Sequence, residues 1–141
     1  MKILNRTLVF DFGTTNTRVC EEGQVVFDER TAIAILPGGC IAVGSRALAC
    51  YSCEYELIMP IECGAVVHAE AYEKFVKAVL KKLMWFPRLC LKTVVIAVPN
   101  EMIQDGNLTE TGRMLCEPFR KMGVKEIKAT PNGVAAYLGS K

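Results

Sequence analysis

Apolar and polar positions alternate and recur along the chain in a way that marks its elements before any chemistry is considered. Thr7–Phe12, Thr17–Glu21 and Gln24–Phe27 are short β-prone runs, which predicts three consecutive strands joined by tight turns, the second at Glu22-Gly23. Thr31–Leu36 is another such run, ended by Pro37-Gly38-Gly39. Ile41–Val43 reads as a short strand leading into one or two helical turns over Gly44–Cys50. Cys53–Val67 shows no period, contains Pro60 and Gly64, and reads as irregular. Ala69–Met84 is the strongest helix, with Tyr72, Phe75, Val76, Val79, Leu80 and Leu83 at core spacing and a charged face of Glu and Lys opposite. Lys92–Val98 is a continuous β-branched run, the pattern of a strand buried on both faces. A helix from about Leu108 to Met122 follows, where Pro118 predicts a kink or break and Gly123 a left-handed cap. Val124–Ala129 is a strand, and Pro131–Leu138 a helix begun by proline in its first turn. Hairpins followed by right-handed crossovers predict an α/β fold: a five-stranded mixed sheet with helices on its faces.

Composition narrows the function classes. A chain of 141 residues makes one domain, large enough to bury about two thirds of its unfolded surface. The formal net charge of +2 and the absence of a Lys/Arg stripe argue against nucleic acid as a partner. No apolar stretch reaches bilayer length, and Met1–Leu8 lacks the apolar core of a signal peptide, so the expected location is the cytoplasm. Seven cysteines at irregular spacing fit reduced thiols better than a disulfide framework.

The first turn holds the densest chemistry. The run Asp11-Phe12-Gly13-Thr14-Thr15-Asn16-Thr17 takes an apolar strand to a carboxylate, then through a glycine into small hydroxyl and amide side chains. A hairpin tip of this kind can offer backbone N–H groups and Thr/Asn side chains to phosphate oxygens, with Asp11 placed to order a metal-bound water. The plainer alternative is an ordinary hairpin whose turn residues satisfy one another. Met84-Trp85-Phe86, ahead of Pro87, are three large apolar residues that either cap the core end of the long helix or stand in an exposed turn. Cys50 and Cys53, with Cys63 and His68 downstream, have the residue types but not the regular spacing of a zinc site. As a redox centre the same pair lacks the strand-Cys-x-x-Cys-helix setting, and a single histidine leaves little scope for a hydrolase triad.

The element order, together with four blocks, resembles the actin-like ATPase superfamily, with its ribonuclease H-like lobe, and within it the bacterial actins of the MreB, rod-shape-determining type. The blocks are the hairpin just quoted; Ile41-Ala42-Val43-Gly44-Ser45-Arg46-Ala47, similar to the family's "AVG-x-x-A"; Met59-Pro60-Ile61-Glu62-Cys63-Gly64-Ala65-Val66, similar to "RP-x-x-x-G-V-I"; and Val94-Val95-Ile96-Ala97-Val98-Pro99, similar to "VVICVP". The resemblance runs from Thr7 to Gly139. It implies that residues 1–141 form a single actin-like N-terminal lobe with a reduced subdomain-like segment at about 31–67.

The family's nucleotide lies between two lobes, and this chain corresponds to one wall of that cleft. The resemblance therefore implies phosphate contacts from Asp11, Gly13, Thr14, Thr15, Asn16 and Thr17, with weak binding of ATP and Mg2+ by the lobe alone. The family places a carboxylate before the proline of its last lobe helix, where it orients the attacking water; here that position is Thr130, so no turnover is expected from the chain by itself. At Met84, Trp85 and Phe86 the family carries a hydrophobic membrane-inserting loop, flanked here by Lys81, Lys82 and Arg88, which favour anionic headgroups. The implied function is a cytoskeletal, cell-shape protein acting by self-association and by contact with the inner membrane surface, peripheral and cytoplasmic. A competing class is an ATP- or phosphate-binding module that needs a separate partner lobe. A zinc- or thiol-based module is a third.

Overall fold

The structure, a computed structural model, describes residues 5–39, 41–50, 55–84 and 91–131. Its centre is a five-stranded mixed sheet built from β1 (Arg6–Phe12), β2 (Asn16–Glu21), β3 (Gln24–Arg30), β9 (Leu91–Val98) and β12 (Glu126–Pro131). The spatial order is β12-β9-β1-β2-β3. β1, β2 and β3 form an antiparallel meander, whereas β9 runs parallel to β1 and β12 parallel to β9. The predicted ribonuclease H-like α/β sheet is the observed one.

One face of this sheet packs on two helices. Leu8, Phe10 and Phe12 alternate on β1 and meet Val94, Ile96 and Val98 of β9, all buried. Against them lie Tyr72, Phe75, Val76, Val79 and Leu80 of α2 (Ala69–Leu83) and Leu115 and Phe119 of α3 (Glu110–Lys121). Phe10 stacks on Phe12 with ring centroids 5.2 Å apart and meets the edge of Phe119 at 5.0 Å. Tyr72 Oη donates to the Leu115 carbonyl at 2.6 Å, tying the helices together, and burial pushes this hydroxyl well above its ordinary pKa. α2 begins at His68, whose Nδ1 accepts from the Ala71 N–H at 3.2 Å. α3 begins at Thr109, whose Oγ1 accepts from Gly112 N–H, and ends where the Gly123 and Val124 N–H groups return to the Arg120 and Phe119 carbonyls.

Smaller elements pack beside the main sheet. β4 (Ile33–Ile35) pairs with β5 (Ile41–Val43) and β6 (Glu56–Ile58), and α1 (Ser45–Ala49) lies against them over a minor core of Ala32, Ala34 and Ala47. β7 (Ile61–Glu62) and β8 (Ala65–Val66) form a hairpin, as do β10 (Ile103–Gln104) and β11 (Asn107–Leu108) after a 3-10 turn at Asn100–Met102.

Four readings of the sequence are corrected here. Residues 53–67 are not uniformly irregular: β6, β7 and β8 lie there, too short for any period to register. Pro118 does not break α3, because it sits in the last turn, where it forfeits one bond to the Met114 carbonyl while its ring is buried. Pro131 ends β12, paired with Val98, rather than opening a helix; 132–138 lie outside the described residues. Met84, assigned to an exposed loop, is 5% exposed and belongs to the main core; Trp85 and Phe86 lie outside the described residues.

Arg6 joins the sheet to the end of α2. Its Nε and Nη2 donate to the two Glu21 carboxylate oxygens at 2.8 and 2.6 Å, and its Nη1 donates to the Leu83 carbonyl at 3.2 Å. The guanidinium bonds hold the Glu21 carboxyl below the usual glutamate range. A depressed folded pKa stabilises the fold above the unfolded value, and that contribution is lost as pH falls through the folded one. Glu21→Gln should therefore lower the melting temperature near neutrality and lower it less at a pH acid enough to protonate the carboxyl in the folded chain as well. Equal losses at both pH values would exclude this linkage.

Candidate functional site

The carboxyl ends of the three parallel strands converge at one edge of the sheet, where ligands bind in open α/β folds. Register places Asp11 beside Ala97 and Ala97 beside Thr130, so the central strands present a carboxylate, a methyl and a hydroxyl in one row. On Asp11's other side stands Arg18, its antiparallel partner, followed by Asp28. Arg18 Nη2 lies 3.3 Å from Asp28 Oδ2, and both side chains are well exposed. Asp11 itself is exposed.

The tip of the β1–β2 hairpin is closed by a bond from Gly13 N–H to the Asn16 carbonyl at 2.9 Å. A β-carbon at Gly13 would lie 2.6 Å from that same carbonyl oxygen, so only glycine fits. Two neighbours pin the tip from opposite sides. The Cys63 N–H donates to Thr14 Oγ1 at 2.8 Å, and the Thr31 N–H donates to the Thr15 carbonyl at 2.8 Å. Having accepted from Cys63, the Thr14 hydroxyl keeps its own proton free to donate outward. Cys63 and Gly64 both have positive φ, 52° and 80°, as a two-residue type I′ turn requires. Gly64 also has no room for a side chain, since a β-carbon there would lie 2.6 Å from Pro99 Cγ.

Of the residues assigned to phosphate contact, Asp11, Thr14, Thr15 and Asn16 are exposed around this tip, with Gly13 half-buried. Thr17 stands apart. It is fully buried on the helix side of the sheet, its hydroxyl 2.7 Å from that of Thr31, so it supports the hairpin from beneath. Three contributors were missed in the sequence: Arg18, Thr31 and the Cys63 N–H. Arg18 was legible, because it has the same strand parity as Asn16 and pairs with Asp11; the other two depend on tertiary contacts.

Among the described residues at the tip, Asp11 is the one that could hold a metal. Among the described residues no three His, Cys, Asp or Glu side chains cluster at metal-binding distance. That donor set fits Mg2+, which keeps most of its waters and is held by one or two carboxylates plus phosphate oxygens. It does not suit zinc. The His68 ring nitrogen is engaged at the start of α2, Cys50 and Cys63 are free thiols, and Cys53 lies outside the described residues. Beside the tip is a recess of about 290 Å³ lined by Cys63, Pro99, Glu101, Met102, Thr109 and Thr111. A groove of about 320 Å³ lies between α2 and α3, lined by Tyr72, Met114 and Pro118 among others.

Comparison with solved structures finds this arrangement in larger proteins. The chain is similar over 90% of its length to MreB5 of Spiroplasma citri bound to ADP, at 20% identity and a TM-score of 0.69. The same protein bound to AMPPNP gives a TM-score of 0.70, also at 20% identity. A double helical filament of MamK matches 89% of the chain at 17% identity and a TM-score of 0.71. The chain spans 38% of the MreB5 chain and 41% of the MamK chain. No curated protein matches the sequence. The sequence also matches the MreB/Mbl protein family over residues 5–141, taking in the hairpin, the parallel strands and both long helices. That match, which covers nearly the whole chain and the hairpin tip within it, shows that the chain belongs to the MreB/Mbl protein family.

Proposed function

We propose that the chain is the phosphate-holding lobe of an MreB-type cytoskeletal protein that works by self-association. The observation that carries this reading is the hairpin tip: Asp11 ends the central strand, and Thr14 and Thr15 are each held by a neighbouring backbone N–H. Such a tip meets phosphate oxygens already ordered, so little conformational freedom is lost on binding. Thr14, Asn16 and the backbone offer donors, Arg18 offers a cation one strand away, and Asp11 orders the waters of a bound Mg2+, which neutralises phosphate charge. The solved relatives support adenine nucleotide as the ligand, since MreB5 carries ADP or AMPPNP and a MamK mutant carries AMPPNP. The MamK double helical filament supports assembly as the activity. With one wall of the cleft, the 141-residue chain should bind MgATP more weakly than about 100 μM, about −5.5 kcal/mol. It should not turn ATP over, because Thr130 is no base. Calorimetry tests the first claim, and sub-micromolar binding would refute it. Hydrolysis abolished by Asp11→Ala would refute the second.

Contact with the cytoplasmic membrane surface is the second part of the proposal. Lys81 and Lys82 are exposed on the last turn of α2, one residue ahead of Met84-Trp85-Phe86, with Lys82 Nζ 3.7 Å from Glu29 Oε2. Buried Met84 anchors the segment, which leaves Trp85 and Phe86 as the inserting pair and Lys81, Lys82 and Arg88 as headgroup partners. Trp85 fluorescence should shift blue on adding anionic vesicles. A Trp85→Ser/Phe86→Ser variant that folds and still binds vesicles equally well would remove these residues from the contact.

A further inference from the structure

Glu29, near the end of the edge strand β3, touches two other layers at once. Its Oε1 accepts from the Ser45 N–H at 3.1 Å, at the start of α1, and its Oε2 lies 3.7 Å from Lys82 Nζ on the last turn of α2. The carboxylate sits in a place shaped for it. Glu29 stands in register with buried Thr17 on β2, and a β-carbon at Gly44 would collide with its carboxylate and lie 2.9 Å from its Cβ. Lys82 is different: its ammonium rides on a flexible four-carbon stem, and its side chain is 38% exposed against 29% for Glu29. At 3.7 Å the two are an ion pair without a hydrogen bond. A half-exposed pair of this kind is weakly favourable, whereas a lysine close to an anionic bilayer is drawn to it with at least comparable strength. A lipid headgroup can therefore take Lys82 from Glu29, but it has to compete for it.

We infer that Glu29 is an internal competitor for Lys82: it ties the last turn of α2 to α1 in the free chain and weakens attachment to anionic lipid until a headgroup displaces it. The inference rests on the membrane reading above and adds a regulation to that site. When Lys82 leaves, Glu29 keeps its bond to Ser45, so the loss of its countercharge is felt at the start of α1. One side chain thereby links the membrane contact to the small layer of β4, β5, β6 and α1.

Glu29→Gln keeps an oxygen for the Ser45 N–H and removes the charge. The full chain carrying it should bind phosphatidylserine-containing vesicles about two- to fivefold more tightly than wild type, the range for release of one surface ion pair. Lys82→Gln should bind more weakly than wild type, and Glu29→Gln should add nothing in that background. In the wild-type chain the Ser45 amide resonance should move on adding anionic bicelles, and in Lys82→Gln it should stay in place; this readout holds even where Glu29→Gln does not fold. Vesicle affinity left unchanged or lowered by Glu29→Gln overturns the inference. So does an equal gain in the Lys82→Gln background, which would mark a general effect of net charge, and so does a wild-type chain that binds with no shift at Ser45. Absence of vesicle binding by any of these chains refutes the membrane reading itself, and the inference with it.

Discussion

Replacing Phe10 with alanine should cost about 3–5 kcal/mol, the largest loss expected from any single change in this chain. Phe10 is fully buried at the middle of the central strand, stacked on Phe12 and edge-on to Phe119. Its removal opens a cavity that three elements line and none can fill, because Phe12 and Phe119 are each held by other contacts of their own. A domain of this size has a total stability of about 5–15 kcal/mol, so the variant would keep little or none of its margin. Val25→Ala on β3, at a side chain 54% exposed, should change stability by less than about 0.5 kcal/mol. Urea unfolding of both variants checks the pair of expectations. A loss below about 1.5 kcal/mol for Phe10→Ala would move the centre of the core elsewhere.

The second large effect is on ligand binding. Gly13→Ala puts a β-carbon 2.6 Å from the Asn16 carbonyl oxygen, so the bond from Gly13 N–H to that carbonyl has to open. The strain falls on the tip and not on the sheet, whose ladder resumes at the Phe12–Thr17 pair. The variant should fold with a modest loss of stability and bind Mg–AMPPNP at least about tenfold more weakly, as the tip's N–H groups and the Thr14 hydroxyl leave their ordered positions. Titration beside a thermal melt separates the two effects. Wild-type affinity in Gly13→Ala would show that phosphate binding does not depend on the shape of the tip.

Strong periods were legible and local exceptions were not. The alternation of Leu8, Phe10 and Phe12, the unbroken run Val94–Val98 and the apolar stripe of α2 each named a buried face, and each is buried. Strands of two or three residues carry no period, so β7 and β8 had to be read from turn chemistry, and Cys63-Gly64 is a weak signal of it. Asp105-Gly106 is a stronger one: its φ values of 52° and 77° form the same type of turn between β10 and β11, where a reading guided by period alone passes over the pair. At the site, residue type alone grouped Thr17 with Thr14 and Asn16. Strand parity separates them, since Thr17 shares a face with Val19 and faces the helices, whereas Asn16 and Arg18 share the face of Asp11. Met84 is the helical counterpart: its N–H still bonds to the Leu80 carbonyl, which keeps it in the core just before the chain leaves α2.

The parallel pairing at the centre of the sheet also sets an order of assembly for a chain emerging from the ribosome. β1, β2 and β3 are neighbours in sequence and close through short turns, so the meander can form within microseconds of its synthesis. Its inner edge must then wait, because the partner of Thr7 is Thr93 and that of Asp11 is Ala97. At about 5–20 residues per second, several seconds pass with an apolar strand edge uncovered before β9 is made, and more before β12. During that interval the unpaired edge of β1 is the part of the nascent protein that most needs a chaperone, and a translational pause before Leu91 would lengthen the exposure.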